Sequence, residues 1–390
     1  DAYNADQGRA TLKEHTDIAV ILLDVVMETD DAGLNFVKYI RDVIHNQFIR
    51  IVLWTGQPGH APKKEVVLSY EINDYKTKTD LTDENIFTAV LASIRSYDAM
   101  MTIENFRQSL EEKVIERTKT IEDQKNKITD SINYARRIQE SILPSEKIIK
   151  EHFPNSFIFF RPKDIVSGDF YWFAKPEFDE WGKENEKMFI AAADCTGHGV
   201  PGAFMSMIGN TLLGEIVNSK KIFKPSDILQ ELNKGIIESL NQNANKEDAQ
   251  SDGMDITVCQ IDPRAGTIEL SCANHIVFVI TKDNIQMIEG DIYSIGGLFS
   301  ILQKPRFTNH KLTIEEDTTI YMFSDGFQDQ FGGDKNQKFM LTRFKDLLFS
   351  IRHLHMNEQL RILNETHENW KGLNRQIDDI LVMGIKLNDL

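Results

Sequence analysis

Hydrophobic and polar positions divide the chain into three stretches with different periods. From residue 1 to about 98, short apolar runs alternate with helical patterns. Residues 18–23 and 49–54 read as strands apolar on both faces, as in a parallel sheet, with helices over 34–43 and 85–96. That alternation predicts an α/β layer fold. The stretch from about 99 to 143 holds neither Pro nor Gly and is rich in Glu, Lys, Arg and Gln. Val114, Ile121, Ile128, Ala135 and Ile142 recur every seventh residue, as one seam of a coiled coil does. The companion positions Leu110, Arg117, Gln124, Ser131 and Ile138 are apolar only at the two ends. The expectation is a parallel coiled-coil dimer with a weakened middle; a solvated single helix joining two domains is the alternative. Leu143-Pro144-Ser145 closes this helix, because proline disfavours helical geometry in the residue before it.

The third stretch, 144–390, is mostly strand-like. Apolar runs at 157–161, 187–193, 256–261, 276–281, 319–324 and 380–385 predict strands. Helical patterns follow Pro201 and Pro225, and two more cover 342–352 and 358–370. Strands interrupted by paired helices predict an α+β sandwich and not a further βα repeat. No internal repeat is evident, and the polar patch 241–250 reads as an exposed loop.

Composition narrows the function classes. A chain of 390 residues with 41% hydrophobic and 27% charged content has room for two globular domains or one large one. A formal net charge of -16 excludes an ordinary nucleic-acid binder, which needs a basic footprint, and suits a protein that holds divalent cations. Cys195, Cys259 and Cys272 are too few and too scattered for a disulfide framework or a zinc site, so a reducing, cytoplasmic setting is expected. The longest apolar runs fall short of a bilayer span, and no membrane insertion is expected. The sequence opens Asp1-Ala-Tyr-Asn without Met or a signal-like segment, so it is expected to begin inside a longer parent sequence.

Candidate chemistry lies in aspartates at strand ends. Asp169, Asp194, Asp325 and Asp378, the last beside Asp379, each stand at the edge of an apolar run next to glycine or a second acid. A carboxylate there is costly to bury unless it is paired or coordinates a metal. Hard cations such as Mg²⁺ or Mn²⁺ take oxygen ligands, and two of them close together would acidify a water and clamp phosphate oxygens. One Asp-Gly pair alone is a turn signal; four acids in the same context weaken that explanation.

Residues from about 130 to 387 resemble the stage-II-sporulation-protein-E-like branch of the type 2C metal-dependent protein phosphatases. The matching motifs are Ile138-Gln-Glu-Ser-Ile-Leu-Pro144, Lys163-Asp-Ile-Val-Ser-Gly-Asp-Phe-Tyr171, Asp194-Cys-Thr-Gly-His-Gly-Val-Pro-Gly-Ala203, Ser324-Asp-Gly326 and Asp378-Asp-Ile380, in family order. The resemblance implies a four-layer αββα sandwich with a two-metal site, Mn²⁺ or Mg²⁺, that hydrolyses phosphoserine or phosphothreonine by a metal-activated water. Asp194 would bridge the metals, the Cys195 carbonyl would bind one of them, Asp325 and Asp378 would complete the first metal's ligands, and Asp169 would lie on the second metal's side. Asp379 stays open as the alternative to Asp378. His198 is a candidate proton donor, offset by two residues from the family's general-acid histidine, with a structural turn role as the alternative. Arg161 and Lys163 are only nearby candidates for gripping phosphate, and a surface role is preferred for each. A thiol mechanism at Cys195 is disfavoured, because Pro201 stands where a cysteine phosphatase loop needs arginine.

Residues 1 to about 98 resemble the later part of a two-component receiver domain, flavodoxin-like in fold. Asp24 matches the phosphoacceptor, Thr55 the hydroxyl that contacts the phosphoryl group, and Tyr75 and Lys78 the switch aromatic and the lysine. Thr79 replaces the usual proline, and the first strand and helix with their Mg²⁺-binding acidic pair are absent. The implied organisation is multidomain: receiver 1–98, helical linker 99–143, phosphatase 144–390. It implies a sensor histidine kinase upstream, a phosphoprotein substrate such as an anti-sigma-factor antagonist, and a homodimer. Phosphorylation at Asp24 would act through the linker on the metal site. The competing expectation is a non-catalytic signalling module that keeps the fold. A nuclease or cyclase lacks the basic surface or nucleotide loop it needs.

Overall fold

The structure is a computed structural model that describes residues 1–56, 70–80, 82–179, 181–242, 252–297, 301, 303 and 305–387. The chain divides into two compact units, Asp1–Lys125 and Asn126–Leu390.

In the first unit, α1 (Ala5–Glu14), β1 (Val20–Asp24), α2 (Ala32–Lys38), β2 (Arg50–Thr55) and β3 (Asp74–Thr77) precede the long helix α3 (Asp83–Ile142). The strands form a parallel sheet in the order β1-β2-β3. Central β2 is buried along its whole length, as its apolar run predicts. β1 departs from expectation: it is an edge strand, only Leu23 in it is fully buried, and Leu22 is 48% exposed. An edge strand lacks one flanking neighbour, so an apolar sequence does not by itself bury both faces.

The helix predicted over 85–96 does not stop there. α3 runs unbroken for 60 residues, because from Asp83 to Ile142 no Pro or Gly interrupts its hydrogen bonding. Near its start Ile86 and Ala89 pack on Val52 and Trp54. The apolar positions Ile103, Leu110, Val114, Ile121 and Ile128 are then exposed. Ala135 and Ile142, expected to continue the same seam, are instead half-buried, and Leu143 packs into the core of the second unit. The seam left open is shorter than the heptad pattern alone predicts.

The second unit continues with α4 (Glu146–His152), β4 (Ser156–Arg161), β5 (Phe170–Ala174), β6 (Met188–Cys195), α5 (Gly199–Gly214), α6 (Pro225–Ser239), β7 (Gly253–Asp262), β8 (Thr267–Ala273), β9 (Ile276–Ile280), β10 (Ile285–Glu289) and β11 (Ile295–Gly296). β12 (His310–Thr313), β13 (Thr319–Phe323), α7 (Gly326–Asp329), β14 (Phe331–Gly332), β15 (Gln337–Lys338), α8 (Leu341–Ile351), α9 (Met356–Lys371) and β16 (Ile380–Lys386) complete it. Two antiparallel sheets result, β12-β8-β7-β6-β5 with β11 on β7, and β10-β9-β13-β16-β4.

Alternation along the strands sorts residues into three cores. Ile190, Ala192, Cys259, Ile261, Met322, Leu381 and Met383 meet between the sheets. Phe189, Ala191 and Val258 face outward onto α5 and α6, while Phe323, Val382 and Phe159 face outward onto α8 and α9. The layers are therefore helix, sheet, sheet, helix, with central strands such as β6, β13 and β16 apolar on both faces.

All six predicted strands of this unit are present. The strands over 170–174, 267–273, 285–289 and 310–313 were not anticipated. Most of the patch 241–250 lies outside the described residues. One helical stretch, Gly199–Ser219, is apolar and long enough to cross a membrane by length and composition. Its Met205, Leu213, Ile216 and Val217 are packed into the core over the first sheet, which accounts for that apolarity.

Candidate active site

Strand parity draws the acids together. Side chains two apart on a strand share a face. Asp194 follows Ala192, and Asp169 and Asp379 precede Tyr171 and Leu381, all three of which lie in the inter-sheet core. Asp255 is in phase with Cys259 and Ile261 of the same core, and pairs in register with Asp194. Four carboxylates therefore enter the space between the sheets, from β6 and β7 and from the residues just before β5 and β16. Asp325, just past β13, and half-buried Asp378, just before β16, stand at the mouth.

Asp169 is 2% exposed, and its Oδ2 has no hydrogen-bond partner. Burial, and then the charge of Asp194, push its carboxyl well above the usual range, although the Ser324 hydroxyl donates to it. Asp194 is likewise raised strongly, by burial first and then by Asp325, Asp378 and Asp255; the backbone N–H of Asp325 donates to it. Asp325 is exposed at its outer edge, yet desolvation by the surrounding protein and the charges of Asp329 and Asp378 lift it to about 6. Lys338, itself bound to Asp329 at 2.6 Å, offsets this only in part. Asp255 is raised by burial, against hydrogen bonds from Ser294 at 2.5 Å and Asn274 at 2.7 Å.

Adjacent Asp378 and Asp379 differ in what they hold. Both oxygens of Asp379 accept backbone N–H groups, from Lys163 at 2.7 Å and Gly168 at 2.7 Å. This side chain ties the 163–169 loop to the start of β16. Asp378 accepts the Asp379 N–H at 2.9 Å and is otherwise turned toward the mouth's acids, whose carboxyls its charge raises. Glycine makes the loop's close approach feasible: a Cβ on Gly168 would stand 2.6 Å from the Gly197 carbonyl and 3.3 Å from that of Cys195. The Cys195 carbonyl thus borders the acid loop, while its thiol is buried against the outer core and pushed far up by burial and by Asp194. A thiol held neutral is no nucleophile.

The other predicted residues fall outside this cluster. His198 is exposed, and its Nδ1 lies 2.7 Å from Asp164 Oδ2. Arg161 is bound to Glu368 and Asn364 and stacks over Phe159, so its guanidinium is committed to α9. Lys163 contributes its backbone N–H. In the first unit Asp24 and Thr55 end neighbouring parallel strands, and Lys78 Nζ reaches Asp24 Oδ2 at 2.5 Å. Tyr75 is buried in that unit's core.

Among the described residues, no group of three or more His, Cys, Asp or Glu is placed to hold a metal ion. The donor set nonetheless fits a hard divalent cation: carboxylates and a backbone carbonyl, mutually repelling, with a buried oxygen left without a partner.

Residues 184–388 match the profile of the stage II sporulation protein E (SpoIIE) family, more than half of the chain. The chain belongs to the SpoIIE family. Among solved structures it is similar to the SiaA-PP2C domain of Pseudomonas aeruginosa, with a TM-score of 0.59 and 26% identity over 68% of this chain and 98% of that one. It also matches the PP2C phosphatase domain with a regulatory fragment of SpoIIE from Bacillus subtilis, at a TM-score of 0.45 and 16% identity, over 60% of this chain and 62% of that one. A curated relative, 3'3'-cGAMP-specific phosphodiesterase 2 of Vibrio cholerae, is 42% identical over 120 residues, 31% of this chain. That match spans 23% of the relative's length. The SpoIIE-family unit is a hydrolase of the PP2C-type serine/threonine phosphatase class, a group that uses divalent metals.

Sequence reasoning missed Asp255. Its signal was present: Asp255-Ile-Thr-Val-Cys259 puts the acid in phase with the buried face, four residues before Cys259.

Proposed function

We propose that residues 144–390 of this SpoIIE-family protein hydrolyse phosphoserine and phosphothreonine in protein substrates, using two divalent cations, Mn²⁺ or Mg²⁺. The observation that carries this is the set of inner-face carboxylates with raised pKa values at one end of the sandwich. Asp194 stands centrally and would touch both ions, with Asp325, Asp378 and the Cys195 carbonyl on one and Asp169 toward the other. Asp379 would brace the loop instead, because both its oxygens already hold backbone N–H groups. The bound ions would supply charge neutralisation for the phosphoryl group and a water acidic enough to react near neutral pH. The protein's own part is to keep the acids dry and fixed, through the Asp379 clamp and the Ser324 hydroxyl.

The finer proposal is control from the first unit, read as a receiver over 1–98 with Asp24 as phosphoacceptor for a histidine kinase, Mg²⁺ assisting where the domain is complete. Thr55, Tyr75 and Lys78 would be its switch residues. The helix over 99–143 would carry the signal. Gln139 near its end is 4% exposed; its Nε2 donates to the Ser167 carbonyl at 2.6 Å and to Ser206 Oγ at 2.8 Å, and its Oε1 accepts the Ser167 N–H at 3.2 Å. A turn or slide of the helix would therefore pull on the loop that carries Asp169. The exposed apolar positions from Ile103 to Ile128 support pairing with a second copy as a parallel coiled coil. A cytoplasmic phosphoprotein of the anti-sigma-factor-antagonist kind would be the substrate.

The test is Mn²⁺-dependent release of phosphate from a phosphoserine protein by wild type and Asp194→Ala. The expected loss in the variant is at least ~10³-fold. Equal rates in both, or no turnover with either metal, would contradict the proposal.

A further inference from the structure

A phosphoryl dianion is gripped best when the protein adds positive charge of its own to that of bound cations. Arg161, one sequence candidate for that task, is committed to Glu368 and Asn364. A different cation reaches the mouth of the acid cluster. Lys338 Nζ donates to Asp329 Oδ2 at 2.6 Å, and its charge pulls the carboxyl of Asp325 down against Asp329 and Asp378. Asp329 stands one helical turn past Asp325, and its N–H donates to the Asp325 carbonyl at 2.9 Å. Residues four apart share a helix face, so the lysine is held on the side of α7 that carries Asp325.

The ribbon that presents Lys338 is fixed at both ends. β14 and β15 pair Phe331 with Lys338 and Gly332 with Gln337. At the base, the Phe339 N–H donates to the Gln330 carbonyl at 3.0 Å and the Met340 N–H to that of Gln328 at 2.7 Å. Phe339 is buried, and its ring meets those of Phe327 and Trp370 edge-on, with centroids 5.4 and 5.2 Å away. Successive side chains of an extended chain point to opposite faces, so burying Phe339 turns Lys338 outward. At the other end Gly332 lies against α9, where a Cβ would collide with the Trp370 carbonyl, and the Gly333 N–H donates to that carbonyl at 2.8 Å. The freedom that remains is in the lysine's own four-carbon stem.

The pair with Asp329 is a resting place for that stem. The two side chains are 42% and 32% exposed, and an ion pair in such a setting contributes little. Turning part of the ammonium toward a phosphoryl dianion therefore costs little and gains a charge-assisted hydrogen bond. We propose that Lys338 Nζ holds a non-bridging phosphoryl oxygen of the substrate, and that Asp329 positions the lysine until substrate arrives; this rests on the phosphatase function proposed above. An ammonium has three donors, so Nζ can keep Asp329 while it binds the phosphoryl oxygen. The grip is on the phosphoryl group itself and is indifferent to the alcohol that carries it.

The test uses the full chain in Mn²⁺ as wild type, Lys338→Gln and Lys338→Arg, with a phosphoserine peptide, p-nitrophenyl phosphate, and inorganic phosphate as inhibitor. Lys338→Gln is expected to lower kcat/KM by ~10–10²-fold on both substrates and to raise the Ki of inorganic phosphate by at least ~10-fold, the loss of one charge-assisted hydrogen bond. Lys338→Arg should regain most of both. Isothermal titration supplies a readout apart from turnover. Removing a positive charge beside Asp325 should leave Mn²⁺ affinity equal or higher, while inorganic phosphate titrated into the Mn²⁺-loaded variant should bind more weakly. A wild-type phosphate Ki in Lys338→Gln, a loss confined to the peptide, or Mn²⁺ binding weakened in step with activity would overturn the inference while leaving the phosphatase function standing. No turnover of either substrate by wild type would overturn both.

Discussion

Each unit ends a strand with an aspartate, and the two units settle its charge in opposite ways. In the first, half-exposed Asp24 meets Lys78 Nζ at 2.5 Å, so the protein supplies its own counter-charge. In the second, Asp169, Asp194, Asp255 and Asp325 crowd together with carboxyls raised by burial and, Asp255 excepted, by neighbouring acids, and Asp169 keeps an oxygen without a partner. Isolated charge in such a place is tolerated when something outside the chain neutralises it. The difference suits the partners proposed for the two sites: a phosphoryl group in one, and cations in the other.

The comparison breaks most visibly on adding metal. Millimolar Mn²⁺, at ~100 times its Kd, should stabilise the second unit by about 2.7 kcal/mol, or roughly 5–10 °C in Tm. Asp194→Asn should abolish that rise, and Asp24→Asn should leave it in place; scanning calorimetry distinguishes them. A smaller effect is expected from Gln139→Ala, which strands the Ser167 backbone groups and Ser206. It should cost about 1–3 kcal/mol in urea denaturation of the second unit.

Acidity gives a subtler contrast. The folded carboxyl of Asp325, at about 6, keeps a proton that the unfolded chain releases near 3.8. Asp169 and Asp194 shift the same way. The folded state therefore binds more protons, and metal-free stability should fall as pH rises from 4 through 6. Saturating Mn²⁺ should remove or reverse that slope. Smallest of all, Lys78→Ala should change stability by under ~1 kcal/mol, since its pair with Asp24 is half-exposed.

Much of this contrast was legible in the sequence, and the missing part has a physical reason. The strand cores announced themselves as apolar runs, and Asp194, Asp325 and Asp378 as acids closing them. β8 escaped because Ile268, Leu270 and Cys272 alternate with Thr267, Glu269 and Ser271, a weaker signal than a continuous run. Asp255 escaped because its meaning depends on pairing with Asp194, a register that single-strand patterns do not contain. The separate tasks of Asp378 and Asp379 depend on which backbone N–H groups approach, and only the folded loop supplies Lys163 and Gly168. The length of α3 was understated for a simpler reason: an expected domain boundary was placed inside a stretch with no helix breaker.

Isothermal titration of Mn²⁺ into the metal-free full chain tests the central claim most directly. The account predicts two equivalents bound by wild type and by Asp24→Asn, and loss of at least one with Asp194→Asn. Identical binding isotherms for wild type and Asp194→Asn, or no binding heat at all, would contradict it.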